Sequence, residues 1–115
     1  MSMWKFYHNP NCSKSREALS LLQSKSLDFQ LIEYLKTPLS SSELRELIVQ
    51  LSTPVSSLVR IKEADFISAP FDVYSLEEVV HHLSEKPHLM ERPILQGNGR
   101  AAIGRPMENI AALLG

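Results

Sequence analysis

The chain has a single cysteine, only four glycines, and no apolar run as long as a membrane span. One cysteine excludes an internal disulfide, so any redox cycle through it must take its second thiol from another molecule. The opening residues Met1-Ser2-Met3-Trp4-Lys5 lack a signal-peptide pattern and run straight into an apolar strand. Together these features predict a reducing, cytoplasmic setting with no membrane association. Charge imbalance is also missing: 12 Lys and Arg stand against 13 Asp and Glu, a net charge of −1. There is thus no basic footprint for non-specific nucleic-acid binding. Repeats, low-complexity tracts and linkers are absent as well, and 115 residues suit one domain, 1–115. What is present is ordinary for a soluble globular domain: 43% apolar and 22% charged residues. Nothing in this composition requires more than a monomer.

The lone thiol stands where an ionised sulfur is favoured. Met3–Tyr7 reads as a strand, His8-Asn9-Pro10-Asn11 as a turn, and Cys12 opens an amphipathic helix over about Ser13 to Lys25. The first turn of a helix has N–H groups without intrahelical partners and carries the positive end of the macrodipole. Both favour thiolate over thiol, and His8, Lys14 and Arg16 are close in sequence. The competing reading of Cys12 is a small buried hydrophobe, the usual fate of a free cysteine.

The rest of the chain alternates strands and helices. Asp28–Glu33 reads as a second strand with Phe29, Leu31 and Ile32 inward, completing a βαβ unit with parallel strands. Ser40 with Glu43, and Ser75 with Glu78, are capping-box signatures. They precede helical stripes at Leu44, Leu47, Ile48 and Leu51 and at Leu76, Val79, Val80 and Leu83. Val55–Ile61 predicts a short helical or turn segment, and Lys62–Asp72 an exposed loop. Pro93–Gln96 and Arg100–Ile103 predict an antiparallel pair joined by Gly97-Asn98-Gly99. Pro106 fits the first turn of a last helix through Met107, Ile110, Leu113 and Leu114. The order describes an α/β fold of thioredoxin-like plan, a four-stranded mixed sheet flanked by helices with a helical insertion after the second strand.

Three arginines, Arg60, Arg92 and Arg105, stand at ends of elements, where residues of an α/β sheet converge on a ligand-binding rim. Guanidiniums and a helix N-terminus around a thiolate would suit a tetrahedral oxyanion. Taken singly, each arginine is more often a surface charge or a structural salt bridge. Pro93, before a strand and opposite a cysteine-bearing helix, is a candidate cis proline. The alternative is a trans proline opening an edge strand. His8 either tunes Cys12 or ends the strand, and Ser15 either donates to the thiolate or starts the helix. His81, His82 and His88 read as solvated, and no metal site is expected because Cys12 has no second sulfur ligand nearby.

The run Tyr7-His8-Asn9-Pro10-Asn11-Cys12-Ser13-Lys14-Ser15-Arg16 closely resembles the active-site loop of the glutaredoxin-dependent arsenate reductases. Thr37-Pro38, Leu58-Val59-Arg60, Glu91-Arg92-Pro93-Ile94 and Gly104-Arg105-Pro106 follow in that family's order, so the resemblance covers nearly the whole chain. It implies a thioredoxin-like fold, Cys12 as nucleophile, and Arg60, Arg92 and Arg105 as oxyanion ligands. It also implies His8 and Ser15 as helpers of the thiolate and Pro93 as a cis proline. The implied reaction reduces arsenate to arsenite, with no bound cofactor, glutathione as co-substrate and glutaredoxin as partner. Two alternatives share the fold. Spx-type regulators bind RNA polymerase without catalysis, but generally switch through Cys-x-x-Cys, and Asn9 stands where the first cysteine would be. A glutathione-dependent thiol oxidoreductase of the same family would act on another substrate.

Overall fold

The computed structural model describes residues 4–115. Strand β1 (Trp4–Tyr7) leads through a tight turn into helix α1 (Ser13–Ser24), and β2 (Phe29–Ile32) returns parallel to β1 in the register Trp4↔Phe29 to Tyr7↔Ile32. Met3, expected in the first strand, lies outside the described residues. Helix α2 (Ser41–Gln50), a 3-10 turn (Val55–Leu58), the short helix α3 (Ala64–Ser68), helix α4 (Leu76–Glu85) and a second 3-10 turn (Pro87–Leu89) form the insertion. Strands β3 (Ile94–Gly97) and β4 (Arg100–Ile103) and helix α5 (Glu108–Leu114) complete the order. The sheet runs β2-β1-β3-β4, with β3 antiparallel to both neighbours.

Period-two alternation sends adjacent residues of each central strand to opposite cores. Phe6 and Leu95 pack with Ala18, Leu22 and Ile110 beneath α1 and α5. Tyr7 and Ile94 face the insertion, where Leu44, Leu47, Val79, Val80 and Leu83 of α2 and α4 fill the larger cluster. On α1 the fully buried stripe is Ser15, Ala18 and Leu22, spaced three and four apart as one helical face requires. The Asn98-Gly99 turn between β3 and β4 has φ of 54° and 75°, the left-handed pair that a two-residue hairpin needs. The Ser40 box is closed on both sides: Glu43 N–H donates to Ser40 Oγ at 3.2 Å and Ser40 N–H to Glu43 Oε1 at 2.8 Å.

Several expectations are corrected. Leu31 is not inward: β2 is an edge strand, and Leu31 is 45% exposed while Ile32 packs on the insertion core. Residues 62–72 are not simply a loop, because Ala64–Ser68 is helical and Phe66 packs edge-on to Phe71 at 5.1 Å. The second capping box is half formed. Ser75 Oγ accepts from Glu78 N–H at 3.3 Å, but Glu78 Oε1 turns to Asp72 N–H at 3.4 Å. Pro106 does not start the last helix; the Arg105–Pro106 bond is cis and α5 begins at Glu108. The three histidines expected to be solvated are also partnered, His81 through Glu85 Oε1 at 3.2 Å from its Nε2. His82 stacks on Phe71 with ring centroids 4.0 Å apart, and His88 Nε2 lies 2.6 Å from Asp65 Oδ2. Among the described residues no helix is long and apolar enough to cross a membrane.

Candidate active site

Strand direction decides what meets at one rim of the sheet. Parallel β1 and β2 both end there, bringing His8 and the Cys12 turn beside Glu33 and Tyr34. Antiparallel β3 begins at the same rim, so Arg92-Pro93 arrive from below it, and β4 ends there with Gly104 and Arg105. This is the carboxyl rim at which open α/β sheets bind ligands. The Arg92–Pro93 bond is cis, as the resemblance implied.

Cys12 is the N-cap of α1, extended at φ −105° and ψ 122°, and is 9% exposed. Its Sγ accepts from Arg105 Nη2 at 3.4 Å. Burial pushes the thiol up, but the backbone N–H groups of Ser15 and Lys14 and the charges of Arg92 and Arg105 outweigh it. The net result is a thiol below its ordinary value of 9.0. These two N–H groups are the second and third of the helix, those nearest an N-cap side chain, and they favour the charged sulfur although Cys12 makes no side-chain capping hydrogen bond.

The arginines are held by their own network. Arg105 Nε donates to Arg92 O at 2.8 Å, and Glu91 Oε1 lies 3.1 Å from Arg92 Nη1 and 3.9 Å from Arg105 Nε. One carboxylate therefore offsets part of the charge of two guanidiniums while fixing their direction. Arg92 Nε is buried with no hydrogen-bond partner. Arg60 is placed differently. The isolated bridge Val59↔Met90 seats it against the second 3-10 turn, where Nη1 donates to His88 O at 3.0 Å and Nη2 pairs with Glu63 at 3.0 Å. It acts electrostatically on Tyr34, and is not among the charges that lower Cys12.

His8 and Ser15 form one buried unit behind the thiol. His8 Nδ1 lies 2.7 Å from Ser15 Oγ, which also accepts from Asn9 N–H at 3.0 Å. Burial, offset in part by Glu33 and reinforced by Arg16, pushes His8 below its ordinary value, so its ring is held neutral. What Ser15 directs at the sulfur is its backbone N–H, while its hydroxyl serves His8 and the Asn9 turn. Arg16 Nη1 donates to Pro10 O at 2.9 Å and ties the same turn to the helix.

One residue of the site was not foreseen. Tyr34 is 0% exposed, and its hydroxyl makes no hydrogen bond of normal geometry. Burial raises its pKa, against the lowering effects of Arg92, Arg60 and the Asn9 amide, and the Cys12 charge raises it further. The signal available in the sequence was position: Tyr34 follows a strand parallel to the one that ends at the cysteine loop. Among the described residues no group of three His, Cys, Asp or Glu side chains could hold a metal ion. A groove of about 470 Å³ runs along β4 between Ser52-Thr53 and α5, with Arg105 and Glu91 at its border.

Fold and thiol setting define the class, a thioredoxin-like protein whose one cysteine caps a helix beside a pair of arginines. The family model described as the ArsC family matches residues 7–113, and the chain belongs to that family. An arsenate reductase of Neisseria meningitidis serogroup A is 39% identical over 113 residues, covering 96% of this chain and 97% of the relative. A relative from Escherichia coli K12, named only as uncharacterized protein YfgD, is 40% identical over 114 residues and covers 96% of each chain. The solved structure of an arsenate reductase from Vibrio cholerae superposes with a TM-score of 0.87 at 38% identity, covering 97% of this chain and 98% of that one.

Proposed function

We propose that this protein reduces arsenate to arsenite through Cys12, with glutathione as co-substrate and glutaredoxin as the protein that restores the thiol. The observation that carries the reading is the contact of Arg105 Nη2 with Cys12 Sγ at 3.4 Å. It puts a guanidinium where it favours thiolate and where an arriving oxyanion would meet its charge. The unpartnered Arg92 Nε offers a further donor, and the named relatives supply the substrate class.

In this mechanism the thiolate attacks As(V); an S–As bond forms, an As–O bond breaks, and the oxygen leaves as water or hydroxide. The developing charge on the remaining oxygens falls to Arg92 and Arg105. A glutathione thiol then displaces a second oxygen as water. Collapse of the two As–S bonds returns an electron pair to arsenic, giving As(III), and leaves a Cys12–glutathione disulfide. A glutaredoxin thiolate attacks the glutathione sulfur and frees Cys12. The single cysteine fits this scheme, since every other sulfur comes from outside.

The test is arsenite production from arsenate by the purified chain with glutathione and glutaredoxin, beside Cys12→Ser. Turnover that depends on both thiol partners and vanishes in Cys12→Ser is expected. Undiminished turnover in that variant would overturn the reading, and so would turnover of a glutathionylated substrate with none of arsenate.

A further inference from the structure

Two buried side-chain polar atoms among the described residues lack a hydrogen-bond partner, Tyr34 Oη and Arg92 Nε. Leaving a buried hydroxyl unpaired costs free energy that a phenylalanine of the same shape would avoid. Such a group persists where something other than folding uses it. Both atoms belong to the same neighbourhood: Arg92, Arg60, the Asn9 side chain and the Cys12 sulfur all act on Tyr34, and none of them gives its hydroxyl a hydrogen bond of normal geometry. Nothing hydrophobic requires the oxygen, because the ring belongs to the insertion core together with Tyr7, Leu39 and Leu44 and a phenylalanine ring would serve there.

From this we infer that Tyr34 is an oxyanion-binding residue: its O–H donates to an oxygen of the anion held by the arginines beside Cys12. It deepens, and rests on, the proposal that Cys12 meets a tetrahedral oxyanion. Tyr34 adds what the arginines do not, a neutral donor fixed by burial that contributes direction without further positive charge. Burial also keeps the phenol protonated, so it acts by holding its proton on the anion and not by giving it up. It links the insertion to the site as well. Arg60, held by Glu63 and the His88 carbonyl, acts on this same tyrosine.

The test is calorimetric titration of inorganic arsenate, and separately of inorganic phosphate, into Cys12→Ser, which binds without forming an adduct, and into Cys12→Ser with Tyr34→Phe. The double variant is expected to bind either anion at least tenfold more weakly. Its thermal midpoint should not fall, and alkylation of Cys12 in the single Tyr34→Phe protein should keep its rate. Tyr74, 79% exposed, is the control, and Tyr74→Phe should leave affinity unchanged. Equal affinity with and without the Tyr34 hydroxyl would overturn the inference, as would failure of both anions to bind at all. If both anions bind in a Tyr34-dependent manner while arsenate is never reduced, the oxyanion role stands and the proposed reaction falls.

Discussion

Gly104 presses against Pro93. Its N–H donates to Pro93 O at 2.8 Å, and a Cβ at Gly104 would stand 2.9 Å from Pro93 Cγ and 2.6 Å from Ile110 Cδ1. A side chain is therefore missing where the strand before Arg105, the cis proline after Arg92 and helix α5 meet. Gly104→Ala must push Ile110 or Pro93 aside, and overpacking of this kind costs about 1–3 kcal/mol. For a domain of this size that lowers the thermal midpoint by roughly 4–15 °C. Because Pro93 and Arg105 flank the contact, arsenate turnover should fall with it. A midpoint within a degree of wild type would show that the contact relaxes freely.

That contact illustrates what a sequence yields and what it does not. The βαβ start was legible because a short apolar run ending at Tyr7 is followed by a turn and then by Ala18, Leu19, Leu21 and Leu22 at helical spacing. The position of Cys12 at a helix start followed from the same reading. Leu31 misled, since alternation marks a face but not whether anything covers it, and β2 turned out to be an edge. The helical turn at Ala64–Ser68 has no side-chain cap and owes its place to Phe66 packing on the insertion core. Arg60 and Tyr34 were set by tertiary pairing. The Val59↔Met90 bridge turns Arg60 toward the His88 carbonyl, and insertion packing buries Tyr34 near the thiol. No local pattern encodes either arrangement.

The reciprocal Ser40–Glu43 box should matter for stability alone. Ser40 Oγ satisfies one orphan N–H of α2 and Glu43 satisfies the N-cap N–H. Ser40→Ala removes the first bond and loosens the second, at a cost of about 1 kcal/mol. The expected outcome is a thermal midpoint lower by roughly 4 °C. The Ser75→Ala change in the half-formed box of α4 should cost less. A larger loss at Ser75 than at Ser40 would contradict this ranking.

His8 links the site to pH. Its folded-state value lies below the ordinary 6.5 because of burial, so below pH 6.5 the unfolded chain binds a proton that the folded chain resists. Its contribution is therefore complete above about pH 6.5 and is lost as pH falls through the window down to the folded value. Urea midpoints measured from pH 8 to pH 5 should drop more for wild type than for His8→Gln, which lacks the titrating ring. Parallel curves for the two proteins would mean that the ring is not held neutral.

Arg105 should control how much of Cys12 is thiolate. The thiol sits below its ordinary 9.0 because backbone N–H groups and two arginines outweigh burial, and Arg105 makes the one side-chain hydrogen bond to sulfur among the described residues. Neutral Arg105→Gln removes that charge while burial remains, so the pH at which Cys12 reacts must move up. Iodoacetamide alkylation, followed by mass at a series of pH values, reads this directly, because the thiolate is the reacting species. Wild type should reach half-maximal rate below pH 9.0, and Arg105→Gln should be several-fold slower near neutrality while approaching the same plateau in alkali. Glu91→Gln provides the opposite sign. Removing the carboxylate that offsets Arg92 and Arg105 leaves their positive charge less compensated, and the half-maximal pH should shift down. If the two substitutions move the profile in the same direction, the thiol is governed by packing and not by these charges.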